Sequence, residues 1–172
     1  GGGFVRSSPD LSRPNLQLYF QAASSMLPKP GEKAGRRIDP WPGFNMSVSN
    51  CRPKSRGEIA LASTDPLAPP RIVPRALSHE DDVREMLEGV KLLRRLAATR
   101  ALSQVVEAEV RPGPAVASDD ELVEDIRNRA GTVFHPCGTC RMAPDAAGGV
   151  VSPRLRVHGV AALRVVDASV FP

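Results

Sequence analysis

Aromatic residues are scarce, at 4% of 172 residues, and the positive charges are scattered, with small clusters at Arg36–Arg37, Arg52–Arg56 and Arg94–Arg95. No basic stripe with interleaved aromatics forms, which argues against a nucleic-acid surface. No apolar run approaches the roughly 18 residues that span a bilayer, so no transmembrane segment is expected. Gly1 to Arg6 lacks the pattern of a signal peptide, and there is no initiating Met, so the start reads as a fragment boundary. Three cysteines make no disulfide framework, and a reducing, cytoplasmic setting is the default. There is no internal repeat and no Gly-x-Gly-x-x-Gly. Gly1-Gly-Gly3 lacks both the spacing and a preceding strand. The sequence therefore holds no dinucleotide-binding unit of its own.

What is present reads as globular: 41% hydrophobic residues, 24% charged residues and a mild net charge of +4. The length suits one domain with a usable core. Fourteen glycines and seventeen prolines predict short elements joined by many loops. Leu16 to Phe20 alternates apolar and polar residues, as a half-buried strand does. A Pro-, Gly- and Lys-rich loop is expected from Leu27 to Gly43. Phe44, Met46 and Val48 alternate with polar neighbours, and Glu58 to Ser63 returns as another strand, so residues 44–63 predict a hairpin. Pro66, Pro69, Pro70 and Pro74 oppose regular structure after it.

The clearest helix begins at Ser78, with Asp81 in a variant capping box. Val83, Met86, Leu87, Val90, Leu93 and Leu96 give it one apolar face, and the charges of Glu80–Glu88 read as its solvated face. A shorter helix starts at Ser118 with Glu121 at the capping-box position and stops near Gly131. Thr132 to His135 is strand-like, and Leu155 to Val170 holds two strand-like runs around Gly159. The fold class is α+β, an antiparallel sheet with packed helices.

The chemistry concentrates in Thr132-Val-Phe-His-Pro-Cys-Gly-Thr-Cys-Arg-Met142. It places His135 at a strand end before a tight Pro/Gly turn, where a rigid scaffold can aim a side chain into a cleft. A neutral imidazole there can accept a hydroxyl proton. The plainer alternative is a structural histidine bonded to a loop carbonyl. Cys137 and Cys140 form a Cys-x-x-Cys, which suggests half a zinc site or a thiol couple. No second ligand pair has zinc-type spacing, so two small side chains filling a turn is the simpler account, and no metal is expected. His79 and His158 read as surface residues. Asp167 follows the apolar run Leu163 to Val166 and precedes Ala168 and Ser169. It either permits close approach of a ligand or simply caps the next turn.

The stretch His135-Pro-Cys-Gly-Thr-Cys-Arg-Met142 resembles the C-terminal signature of the glucose–methanol–choline (GMC) oxidoreductase family, around its active-site histidine. Leu163 to Pro172 resembles the family strand that returns to the flavin domain, and Gly149 to Gly159 between them fits as well. Leu16–Phe20, Asn50–Gly57 and the Ser78 helix match the substrate domain in kind and order, and choline dehydrogenase-like members look nearest. The resemblance implies an FAD-dependent two-electron oxidation of a small-molecule alcohol. The histidine matching His135 accepts the hydroxyl proton, backbone at Asp167 and Ala168 lies against the cofactor, and Asn50 sits on the substrate side. Residues 1–131 are then part of a substrate domain, and 132–172 the active-site segment with its returning strand.

The departures carry their own expectations. The family's N-terminal flavin domain and the second active-site His or Asn after Val-Phe-Pro are absent from this chain. Ala143 stands where the family commonly has Gly. The chain alone is expected to be inactive and to need its flavin-binding domain as partner. The alternatives are a non-catalytic truncated module and a small zinc or thiol-redox protein.

Overall fold

The computed structural model describes residues 1–26 and 37–172. They fall into two compact units, Gly1–Arg56 with Arg75–Arg129, and Gly57–Pro74 with Ala130–Pro172. Antiparallel strands and packed helices make up the protein, as the sequence pattern implies.

In chain order the first unit contains strands β1 (Gly2–Val5), β2 (Leu16–Gln21), β3 (Ser25–Met26), β4 (Arg37–Ile38) and β5 (Asn45–Asn50). Strands β1, β2 and β5 form one sheet in that order, and β3 pairs with β4. The expected loop from Leu27 lies outside the described residues as far as position 36, and Arg37 and Ile38 within it are strand. In the β2–β5 ladder Leu16 opposes Asn50 and Leu18 opposes Val48. Directly opposed residues share a face, so this apolar face can bury under a helix. Helix α1 (Glu80–Ala97) does bury it, at Gly89. A Cβ there would stand 2.8 Å from a Val48 methyl and 3.2 Å from a Leu16 methyl. The other face carries Gln17, Tyr19 and Ser49. The Tyr19 hydroxyl lies 3.0 Å from Gln17 Oε1 and 3.2 Å from Ser49 Oγ. A short helix α2 (Arg100–Ser103) and α3 (Asp119–Arg129) follow, and α3 buries Leu122 and Ile126.

The α3 capping box forms as expected. The Glu121 N–H donates to Ser118 Oγ at 3.3 Å, and the Ser118 N–H donates to Glu121 Oε2 at 2.9 Å. At α1 the cap is His79 rather than Ser78. Its Nδ1 accepts the Asp81 N–H at 3.1 Å, while its own N–H donates to Ser55 Oγ at 3.1 Å. The reading of Glu80–Glu88 as a solvated face fails at Asp82, which is only 2% exposed. Its carboxylate accepts the N–H groups of Lys54 at 2.7 Å and Ser55 at 2.8 Å, and the Ser55 hydroxyl. Burial pushes this carboxyl up, but the Ser55 hydroxyl, the two N–H groups and nearby His79 outweigh it, leaving it below its ordinary value.

The expected 44–63 hairpin does not form. β5 pairs with β2, while Glu58–Ala60 (β6) pairs with Arg71–Val73 (β7) in the second unit. Register decides this: Met46 and Val48 find matching apolar partners in Phe20 and Leu18, and Ile59 finds Ile72. Pro70 and Pro74 flank β7 without entering its ladder, where a missing N–H does no harm. Thr132–His135 is not a strand either. Phe134 has φ +61, and Pro136 offers no N–H to a ladder. The expected runs in 155–170 reduce to single bridges, Val151 with Val157 and Arg156 with Arg164, and a 3-10 turn at Ala168–Val170. Left-handed residues at Leu155, Gly159 and Ala162 interrupt any longer extended stretch.

Candidate active site

The second unit folds around Val151, which is fully buried. Its N–H and C=O meet the 141–143 backbone, with the Ala143 N–H donating to Val151 O at 2.9 Å. Gly149 permits this approach, because a Cβ there would lie 2.5 Å from Arg141 O. The Arg141 Nε closes the same loop on Gly148 O at 2.7 Å. The methyl of Ala143 sits where a Cβ on Gly148 or Gly149 would lie 3.0 or 2.9 Å away, so the two glycines leave room for it. His158 is half-buried rather than on the open surface. Its Nε2 lies 3.1 Å from Ala143 O and its N–H donates to Val150 O at 3.0 Å. It is a strut of this loop.

Two segments far apart in sequence are tied together here. Gly138, at φ +87, opens a turn that closes with the Arg141 N–H on Gly138 O at 3.3 Å. From that turn the Cys140 N–H donates to Ser169 O and the Met142 N–H to Val170 O, each at 2.9 Å. Val170 is buried as the anchor. The turn that follows His135 is thereby fixed to the turn that Asp167 begins.

Asp167 caps the Ala168–Val170 turn. Its carboxylate accepts the Ser169 hydroxyl and, at 2.8 Å, the Ser169 N–H. These two bonds, the hydroxyl first, hold its carboxyl below the ordinary value. Ala168 is exposed beside it. His135 is exposed too, and among the described residues its imidazole has no hydrogen-bond partner. Asn50 lies in the first unit, at the end of β5. Its Nδ2 donates to Glu85 Oε2 at 2.9 Å and to Asp82 O at 3.3 Å, so it fastens the strand to α1. Cys137 is exposed and Cys140 half-buried, both free. Among the described residues no group of three or more His, Cys, Asp or Glu is placed to hold a metal ion.

Sequence reasoning missed Asp82 and the Tyr19 cluster. Spacing held a signal for the first, since positions 82, 86, 89 and 93 share the inner stripe of α1. Tyr19 gave none, because its partner Ser49 becomes a neighbour only through the β2–β5 register.

The family model described as GMC oxidoreductase matches residues 53–172. An alcohol dehydrogenase (acceptor) of Pseudomonas putida is 45% identical over 99% of this chain and 30% of its own length. An oxygen-dependent choline dehydrogenase of Klebsiella pneumoniae is 40% identical over the same shares. A solved structure of formate oxidase from Aspergillus oryzae, described with its FAD modification, superposes with a TM-score of 0.78 at 32% identity. It covers 94% of this chain and 28% of its own. The chain thus spans about 30% of the length of these relatives. With a family model matched over most of its residues and both motif segments tied into one unit, the chain belongs to the GMC oxidoreductase family.

Proposed function

We propose that this chain is the C-terminal, substrate-side portion of an FAD-dependent alcohol oxidoreductase acting on CH–OH donors, with His135 as the base. One observation carries the reading. Hydrogen bonds from Cys140 and Met142 tie the turn after His135 to the turn that Asp167 caps. An unpartnered imidazole beside such a fixed point can accept the proton of a substrate hydroxyl. When bound, the flavin supplies the acceptor for the two electrons that leave the carbinol carbon as hydride.

The residues present fit one edge of that cofactor and not its pyrophosphate. Both longer helices begin with carboxylates, Glu80–Asp82 and Asp119–Glu121. Those charges repel a phosphate where a cradle needs free N–H groups. Exposed backbone at Asp167 and small Ala168 is what remains for contact. In this reading the cradle belongs to a flavin-binding portion of the same protein. Residues 132–172 meet it, 1–131 are part of the substrate domain, and the chain alone is inactive. Asn50 serves the substrate side as a positioning residue, through its hold on α1. The substrate is a small-molecule alcohol, and three free cysteines fit a reducing, cytoplasmic setting. The described residues contain no helix long and apolar enough to cross a membrane.

The test is His135→Ala in a full-length, flavin-loaded enzyme carrying residues 1–172. kcat/KM for the alcohol should fall by about 10²–10⁴-fold, the scale of lost acid–base catalysis. Flavin should stay bound, because the imidazole acts on substrate. Near-normal turnover refutes the assignment.

A further inference from the structure

A general base works only when it is aimed, and in many sites a third group orients it by a hydrogen bond. Among the described residues no such group touches the His135 imidazole. Within the described residues what directs it is its own backbone, and that backbone is unusual. Phe134, immediately before it, sits at φ +61 and is 82% exposed. A bulky residue with left-handed φ is an outlier that persists only where something holds it. Among the described residues, burial of the ring is not what holds it. The one bond at this point is local: the Phe134 N–H donates to Thr132 Oγ1 at 2.9 Å. On the other side, Pro136 restricts His135 itself to extended backbone.

We infer that Thr132 is a positioning residue for His135. Its hydroxyl keeps Phe134 left-handed, and this sets the direction in which His135 leaves the chain. Without the hydroxyl, Phe134 returns to an ordinary negative φ, a rotation on the order of 120°, and the imidazole swings with it. Pro136 prevents His135 from compensating through a helical conformation. Thr132 is exposed, so replacing its hydroxyl with a methyl leaves the packing of the unit intact. The inference rests on His135 being the base, and the experiment separates the two.

In the full-length, flavin-loaded enzyme, Thr132→Val should lower kcat about tenfold, within the range that misplacement of a catalytic group costs. KM and flavin content should stay unchanged within about twofold, and the retained flavin separates this loss from general unfolding, which lowers apparent kcat by removing flavin-loaded enzyme. Thr132→Ser keeps the acceptor and should return kcat to within about twofold. Hydrogen exchange of the 132–136 segment should quicken in the Val variant and not in the Ser variant. Asn tolerates left-handed backbone. In a Phe134→Asn background, the same Thr132→Val change should therefore cost less than about threefold, which a double-mutant cycle reads apart from any loss of the ring. If Thr132→Val turns over normally while His135→Ala does not, the positioning role is wrong and the base stands. An equal Thr132→Val loss in both backgrounds also overturns the inference. If His135→Ala itself turns over normally, the base assignment falls and takes this inference with it.

Discussion

Asp82 lies on the inner side of the first turn of α1 with a backbone N–H on each of two oxygens, and its duty is to hold the 54–55 backbone against the helix. Removing the carboxylate strands two part-buried donors, each satisfied by a charged acceptor. Asp82→Ala should therefore cost about 2–4 kcal/mol in urea unfolding. The pH dependence has a definite sign. The folded carboxyl lies below its ordinary value, so the native state binds fewer protons than the unfolded chain near there. The stabilisation is complete above the unfolded pKa of about 3.9 and is lost as pH falls through the lower folded value. The difference between wild type and Asp82→Ala should shrink across that window. A constant difference down to strong acid contradicts this role. Asp167 is tested differently. Asp167→Ala removes the acceptor that starts the Ala168–Val170 turn, and flavin content of the full-length enzyme should drop. Asp167→Asn keeps an acceptor for the Ser169 N–H and should retain more flavin. Equal flavin loading in all three proteins removes Asp167 from the cofactor edge. The turns beside His135 and Asp167 were legible in sequence, because Pro136, Gly138 and Ser169 lie within three residues of them. Asp82 was not, because its partners lie 27 and 28 residues upstream and a charge on a helix normally reads as solvated.

Among elements, legibility followed the range of the interactions. The α3 capping box lies within four residues, and the structure forms it as the sequence implies. The α1 apolar stripe was also readable, although its cap moved to His79 because Ser55, from another segment, bonds the His79 N–H. Strand pairing was misread where it mattered. β5 finds β2 across some thirty residues, as the Tyr19–Ser49 contact shows, and the nearer β6 pairs elsewhere. Alternation marks a strand but does not name its partner. The packing of α1 on this sheet has a sharp test in Gly89. A side chain there meets two stiff methyls of Val48, a β-branched residue with little rotamer freedom. Gly89→Leu should destabilise by about 1–3 kcal/mol through overpacking, despite the better helix propensity of Leu. A shifted denaturant midpoint with an unchanged m-value is the expected readout. A stabilised variant contradicts the close approach.

At the scale of the molecule, the missing Gly-x-Gly-x-x-Gly is the sequence observation behind the proposal that the cofactor's cradle lies outside residues 1–172. The place of Gly57–Pro74 in the second unit was not legible, because the rest of that unit begins some sixty residues later. The second unit leaves Phe134, Val166 and Phe171 more than half exposed. The central claim is that this chain contributes the base and one edge of the cofactor site, and that a separate portion binds the flavin. Equilibrium dialysis of residues 1–172 against FAD tests it most directly. A few edge contacts do not offset the cost of immobilising so large a ligand, so the account predicts no saturable site tighter than millimolar, with micromolar or tighter retention once a flavin-binding portion is joined to the chain. A saturable micromolar site on residues 1–172 alone contradicts it.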